Sequence, residues 1–369
     1  MRTLLPILFL LIALGILAGA NIYLSRRFSW YFEIENIKIT YLVFAFLTVF
    51  MIGGLIGFSN SRIFLGSMIC SAAAITMGLL LYLFLSVLLT DVIHLFVKLP
   101  LKIFGLSFII LTILVSLYGI WNSFQTKVTE IQIPIKGLQS EVRAMHISDV
   151  HIGHFRGKAF LQKIVDKTNH HRPDVIFLTG DLFDGKIRLS QENISPLKKI
   201  KVPVYFVNGN HDGYSGVETI KEYLRNINVR VLENEIDHFG ELQIIGLNHM
   251  RSDPDKADMH AAPGGLTIRE TLASLKINKA EPTILLHHSP DGIEYADQYG
   301  VDLYLAGHTH AGQLFPIIYL NELLFKFNRG LHQFNNTSIL VSQGVGTFGP
   351  PMRIGTKSEI IFIRLKPES

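Results

Sequence analysis

RAMHISDVH (143–151) runs as a short apolar strand and breaks at its end into Asp149-Val150-His151. Side chains alternate along an extended backbone, so Asp149 and His151 face the same way at that end. The pattern then returns along the chain. DVIFLT (174–179) is followed by Gly180-Asp181, with Asp184 just beyond, and PVYFVN (203–208) by Gly209-Asn210-His211-Asp212. TILLH (283–287) closes on the pair His287-His288, and a strand over 302–306 closes on Gly307-His308-Thr309-His310. Further strands are expected at 242–247 and 338–342, with helical patterns at 157–169 and 217–226. Strands alternating with helices of this length argue for an α/β core. The carboxyl ends of its strands are where such a sheet collects a site. Gly180, Gly209 and Gly307 permit the sharp turns that bring these side chains to a common centre. Aspartate, asparagine and histidine without thiolate suit borderline divalent ions such as Mn, Fe, Zn or Co.

Each cluster alone is an ordinary turn; five in order, each ending a strand, are not. Together, over 143–366, they resemble the calcineurin-like metallophosphoesterase family, with its signature D-x-H, G-D, G-N-H-D/E, H and G-H-x-H. LLHHSPD (285–291), GHTHAGQLFP (307–316) and GTFGPPMRIG (346–355) are similar to its bacterial YkuE/YaeI-like membrane branch. Ala311 departs from that branch, which usually has a second glycine after the last histidine.

The resemblance implies a β-sandwich flanked by helices and a metal-dependent phosphohydrolase with two divalent ions. Asp149, His151 and His310 would hold one ion, Asn210, His288 and His308 the other, and Asp181 would bridge them. His211 would be a catalytic non-ligand that protonates the leaving oxygen or steadies the phosphoryl charge, and Asp212 would orient it. His288, standing immediately before Ser-Pro-Asp, matches the family ligand, and His287 would face the other way. Two cations about 3.5–4 Å apart clamp a phosphate and activate water, so no nucleophilic Ser or Cys is needed. The substrate stays open among a phosphomonoester, a phosphodiester and a lipid-linked pyrophosphate, since some relatives of the branch cleave a pyrophosphate bond in a lipid A precursor. A non-enzymatic membrane scaffold on the same fold is the alternative, but it would show broken ligands, and all seven positions are filled.

The remaining polar residues read more plainly. Asp184, His154, His170, His171, His238, His249, His260 and His332 are surface or supporting groups. His249 and His260, in the polar loop 248–265, are the ones placed for substrate contact. Arg353 suits either a phosphate contact or a structural turn. No Walker loop or dinucleotide fingerprint occurs.

The first third has another character. The 369 residues leave room for two domains, taken as 1–125 and 126–369. Hydrophobic residues make up 49 % and charged residues 17 %, which excludes a disordered chain and points to membrane segments. Apolar runs at 4–24, 41–58, 64–90 and 103–121 each approach or exceed the roughly 20 residues that cross a bilayer as helix. Four transmembrane helices are therefore expected. The first run is longer than a signal-peptide core, and only Arg2 precedes it. Trp30, Tyr31, Tyr41, Tyr82 and Trp121 are placed as interfacial aromatics. Asp91 and His94 mark either a polar intramembrane site or the exit of the third helix.

Of 34 Lys/Arg and 30 Asp/Glu, seven and three lie in 1–126, leaving 27 of each beyond. The formal +4 thus belongs to the membrane part, and nothing in the rest forms a basic face for nucleic acid. Loops 25–40 and 91–102 carry Arg26, Arg27, Lys38, Lys98 and Lys102, against Arg2, Arg62 and Lys127 on the other side. That bias puts the two loops in the cytoplasm and the catalytic domain on the non-cytoplasmic face of the cell membrane. The single cysteine, Cys70, excludes an internal disulfide framework.

Overall fold

The structure, a computed structural model, describes residues 4–255 and 265–368. The chain divides into two compact units, one running to Ile120 together with Gly349–Pro351, the other formed by Trp121–Phe348 and Met352 onwards.

The first unit is helical: α1 (Leu4–Tyr31), α2 (Ile37–Phe58), α3 (Phe64–His94) and α4 (Leu101–Ser123). They pack about Leu24, Tyr31, Phe44, Val87, Phe104 and Phe108. Three of them, α2, α3 and α4, are long and apolar enough to cross a membrane. Their outer faces confirm the character: Leu42, Phe46, Val49 and Ile56 are at least 67 % exposed. A helix in water buries such residues, whereas a bilayer solvates them. This chain is a membrane protein.

Two of the expected interfacial aromatics prove to be core. Tyr82 sits within α3 and is buried, and Tyr31 is buried against the rings of Trp30, Phe104 and Phe108. Tyr31 also donates to Asp91 Oδ1 (2.7 Å), whose other oxygen takes Tyr23 and the Arg27 guanidinium. Asp91 therefore ties α3 to α1, close to the end of α3.

The second unit is a sandwich of two mixed six-stranded sheets. In chain order the strands are β1 (Lys127–Ile135), β2 (Val142–Ile147), β3 (Val175–Thr179), β4 (Val204–Val207), β5 (Arg230–Val231), β6 (Glu235–Phe239), β7 (Leu242–Gly246), β8 (Thr283–Leu286), β9 (Leu303–Ala306), β10 (Gly330–Phe334), β11 (Thr337–Val341) and β12 (Glu359–Pro367). One sheet has the order β1-β12-β2-β3-β4-β5, the other β10-β11-β9-β8-β7-β6. Within them β2 to β5 run parallel, as do β11, β9, β8 and β7.

Both sheet faces are covered, which is why the strands read as apolar runs. In β3, Val175 and Phe177 point between the sheets towards Ile284, Leu286 and Leu305. Their neighbours Ile176 and Leu178 point outward onto Leu161, Ile164 and Val165 of α5 (Lys158–His170). After α6 (Asn210–Ser215), at the exit of β4, α7 (Val217–Arg225) lies on that same outer side, with Ile220 and Leu224 buried there. The second sheet carries α8 (Ile268–Ser274) and α9 (Ile293–Gln298) on its outer face. Seven expected strands and both expected helices of this unit lie within two residues of their places. The longest pair was not foreseen: β1 and β12 run parallel over nine residues, from Lys127↔Glu359 to Ile135↔Pro367.

Candidate metal centre

All seven residues expected to bind metal leave the carboxyl ends of parallel strands. Asp149 and His151 follow β2, Asp181 follows β3, and Asn210 opens α6 after β4. His288 follows β8, while His308 and His310 follow β9. The first sheet thus supplies four of them and the second supplies three.

The backbone there is unusual. Asp149, His151, Asp181, His308 and His310 all have left-handed φ, between +48° and +70°. Each costs an L-residue about 1–2 kcal/mol, and such strain persists only where surrounding structure imposes it. Here the loops after β2 and β3 are laced together by Asp149 N–H to Gly180 O (3.0 Å), His151 N–H to Asp181 O (3.0 Å) and Ile152 N–H to Leu182 O (2.9 Å). Gly180, at φ +85°, is needed for both freedom and space: a Cβ there would lie 2.5 Å from Gly209 N. At Gly209 and Gly307 a side chain would strike the carboxylates of Asp181 and Asp149.

The side chains converge into two overlapping groups, Asp149/His151/His310 and Asp149/Asp181/His288, with ligand atoms within 4.8 Å of one another in each. His310 Nε2 is 3.3 Å from Asp149 Oδ1 and 3.1 Å from His151 Nε2. His288 Nε2 is 3.1 Å from Asp181 Oδ2, an oxygen that also lies 3.7 Å from His151 Nε2. Asn210 Oδ1 and His308 Nδ1 are 3.1 Å apart, and the rings of His308 and His288 are 5.1 Å centre to centre. His308 N–H donates to both oxygens of Asp149.

This donor set fits divalent cations. His288 donates Nδ1–H to Thr179 O (2.7 Å), which directs Nε2 towards the carboxylates; this Nε2 and His151 Nδ1 are buried without a hydrogen bond. Electrostatics agree. Burial pushes the Asp149 carboxyl up, with Asp181 adding to the rise. Burial alone would raise Asp181 too, but the imidazoles of His288, His211 and His151 hold it well below the usual carboxylate range. His288, against its own burial, is drawn up to about 10 by Asp181 and Asp149. The buried carboxylates demand positive charge, and a divalent ion supplies it in place of protons.

His211 stands at the edge of these groups, its ring 4.8 Å from that of His151. The expected pairing with Asp212 gives way to another. Asp212 accepts the N–H groups of Gly209 (3.0 Å) and Phe183 (3.1 Å), holding the β3 and β4 loops together, because the turn into α6 points it at that backbone. The His211 ring instead bonds through Nδ1 to Asp184 Oδ1 (3.0 Å). Asp184 was read as a plain polar group; its spacing of three from Asp181 was the available signal. Burial lowers His211, but the Asp184 hydrogen bond and the Asp181 charge outweigh it and raise the imidazole to about 9.

His287 turns away from the cluster as expected, sharing Nδ1 with Ser289 O (2.8 Å) and Tyr304 Oη (2.9 Å) and accepting Met250 N–H. His249 lies at the rim, 5.8 Å from the His288 ring and 6.0 Å from His308, whereas His260 is outside the described residues. His171, His238 and His332 have partners elsewhere: Lys167 O, Glu281 and Arg329 O. Arg353 is the structural turn. It is fully buried and donates to the carbonyls of Gln343, Gly344 and Gly346, and its Nη2 also lies 3.2 Å from His310 Nδ1, so it braces a residue expected to hold metal.

Ala311 takes φ +52°, where glycine is at ease. Ala311→Gly is therefore expected to raise stability by up to about 1 kcal/mol, and Ala311→Val to lower it, since a β-branched side chain resists this conformation. Thermal unfolding of the two variants beside the parent protein checks this.

The profile of the calcineurin-like phosphoesterase family matches residues 142–312. A Helicobacter pylori protein named as an uncharacterized metallophosphoesterase is 33% identical over 258 residues, covering 68% of each chain. A Danio rerio transmembrane protein with metallophosphoesterase domain is 33% identical over 276 residues, 70% of this chain and 62% of its own. An Aquifex aeolicus metallophosphoesterase is 29% identical over 265 residues, 69% of this chain and 98% of its own.

Proposed function

Because the chain belongs to the calcineurin-like metallophosphoesterase family and is thereby a metal-dependent phosphoester hydrolase, we propose that it is a dinuclear, multi-pass membrane enzyme acting on a lipid-linked phosphoester or pyrophosphate. The observation that carries this is the pair of carboxylate–imidazole groups sharing Asp149 at the strand ends. Asp149, His151 and His310 would hold one ion and Asn210, His288 and His308 the other. Asp181, whose Oδ2 faces both His288 and His151, would bridge them. Bound there, divalent ions supply the Lewis acidity and activated water that phosphoester hydrolysis needs.

The protein's own contribution is proton handling and position. Asp184 fixes His211 through Nδ1 and helps keep it protonated, which leaves Nε2 to give a proton to the departing oxygen. Asp212 clamps the loop that carries Asn210 and His211.

The membrane part supports the substrate class. Helix α1 (28 residues) is read as a fourth span beside α2, α3 and α4, with the loops after α1 and α3 cytoplasmic and the catalytic domain, 126–369, on the opposite side. Only three residues, 124–126, separate α4 from β1, a short tether that suits a substrate held in the same bilayer.

Full-length protein in nanodiscs tests this. Chelation should abolish hydrolysis of a soluble chromogenic diester, and adding back Mn, Fe, Zn or Co should restore it. The same protein should release phosphate or headgroup from a vesicle-borne phosphoester. Turnover of the soluble diester with none of any lipid would remove the lipid-linked substrate.

A further inference from the structure

Beyond the last histidine lies α10 (Ile317–Leu324), of sequence IIYLNELL. Its inward side is wired to the metal centre. Ile318 is buried, its Cα only 2.7 Å from where a Cβ on Gly312 would sit. Asn321 Nδ2 donates to the carbonyl of Thr309 (3.2 Å), the residue between His308 and His310, and also bonds Asn328. Its outward side is apolar apart from Glu322, which pairs with Arg329: Leu323 is 84% exposed, Leu324 70%, Tyr319 58% and Leu320 56%. Phe315 and Ile317 extend this surface at the helix start.

Apolar surface also borders the ligands. The half-exposed Phe348 ring is 5.0 Å from that of His310, and the Phe325 ring is 5.8 Å from that of His308. The exposed cation Lys326 follows the helix, its Nζ 4.7 Å from the centre of the Phe334 ring, while Arg329 beyond it is paired with Glu322 (3.4 Å). A contiguous apolar patch this exposed marks a contact surface. Leucines and aromatics on one face, with a long cation at the edge, make an element that lies in a membrane interface. The occupant follows from the chain itself, since apolar helices able to cross a bilayer end three residues before β1.

We infer that α10 docks by Tyr319, Leu320, Leu323 and Leu324 into the headgroup–acyl boundary of the bilayer, with Lys326 on anionic headgroups. The inference deepens the reading of a membrane-surface phosphoesterase and rests on it. A phosphoester on a lipid headgroup would then meet the metal edge beside His308 and His310 without leaving the bilayer.

Site-specific quenching in the full chain tests it. With Cys70, the one cysteine, changed to alanine, a fluorophore is placed at Leu323→Cys and, as control, at exposed Lys198→Cys. The protein is reconstituted in phosphatidylcholine–phosphatidylglycerol vesicles. Nitroxide lipids labelled near the headgroup should quench position 323 roughly two-fold or more and iodide barely, with the reverse at 198. Iodide quenching at 323 equal to that at 198 overturns the docking, as does access of neither quencher, which would place a protein partner there. Should Leu323→Cys fail to fold, Leu320→Cys is judged by the same criteria. Because the readout needs no substrate, a protein inert on every lipid but still lipid-quenched at 323 refutes the lipid-linked substrate and leaves the docking standing.

Discussion

Asp181→Asn is expected to lose most of its bound metal and to slow hydrolysis by roughly 10³-fold or more, the scale reached when an essential group of an active site is removed. Asparagine keeps the size of the side chain and an oxygen for the His211 N–H, now 2.8 Å from Asp181 Oδ1, so the loop should hold its shape. What disappears is the charge. Asp181 faces His288 at 3.1 Å and His151 at 3.7 Å, and a neutral amide cannot serve two cations from that position. Metal analysis of purified protein, beside turnover of a soluble diester, measures both losses. A variant that retains two ions and full turnover removes Asp181 from the bridging role.

His211→Ala should behave differently, keeping its metal while turnover falls roughly 10²–10⁴-fold, as when a general acid is removed. Its main-chain N–H, which Asp181 uses, survives the change. Asp184→Asn should give a smaller loss by weakening the hold on the ring, of the order of 10-fold. The competing outcome is concrete, because His151, Asp184 and His211 also place ligand atoms within 4.8 Å of one another. If metal leaves together with activity in His211→Ala, His211 is a ligand.

These expectations could be framed because most of the site lay open in the sequence. Asp149, Asp181, Asn210, His288, His308 and His310 each follow a short run whose apolar residues are buried on both faces of a sheet, and such runs are conspicuous. What stayed hidden depended on distance along the chain. β1 and β12 find each other across more than two hundred residues, and their pairing cannot be read from either alone. Asp184 and Asp212 differ only in where a turn points them. One meets the His211 ring and the other two backbone amides, a matter of φ and ψ rather than of residue type. In the membrane part, hydropathy located the helices but not their inner faces. Tyr31 and Tyr82 were placed at the interface because an aromatic near an apolar run carries no mark of the side it will take.

The division of ligands between the two sheets bears on when the centre can exist during synthesis. Neither of the two groups that share Asp149 is complete within one sheet: Asp149, His151 and Asp181 come from the first, His288 and His310 from the second. The first sheet's contributors are all made by Asp212, whereas His310 emerges about 5–20 s later at ordinary elongation rates. Until then Asp149 and Asp181 lack the imidazoles that follow β8 and β9. The proposed centre therefore closes only after the second sheet has been made, and a chain truncated before His288 is expected to be inert towards phosphoesters.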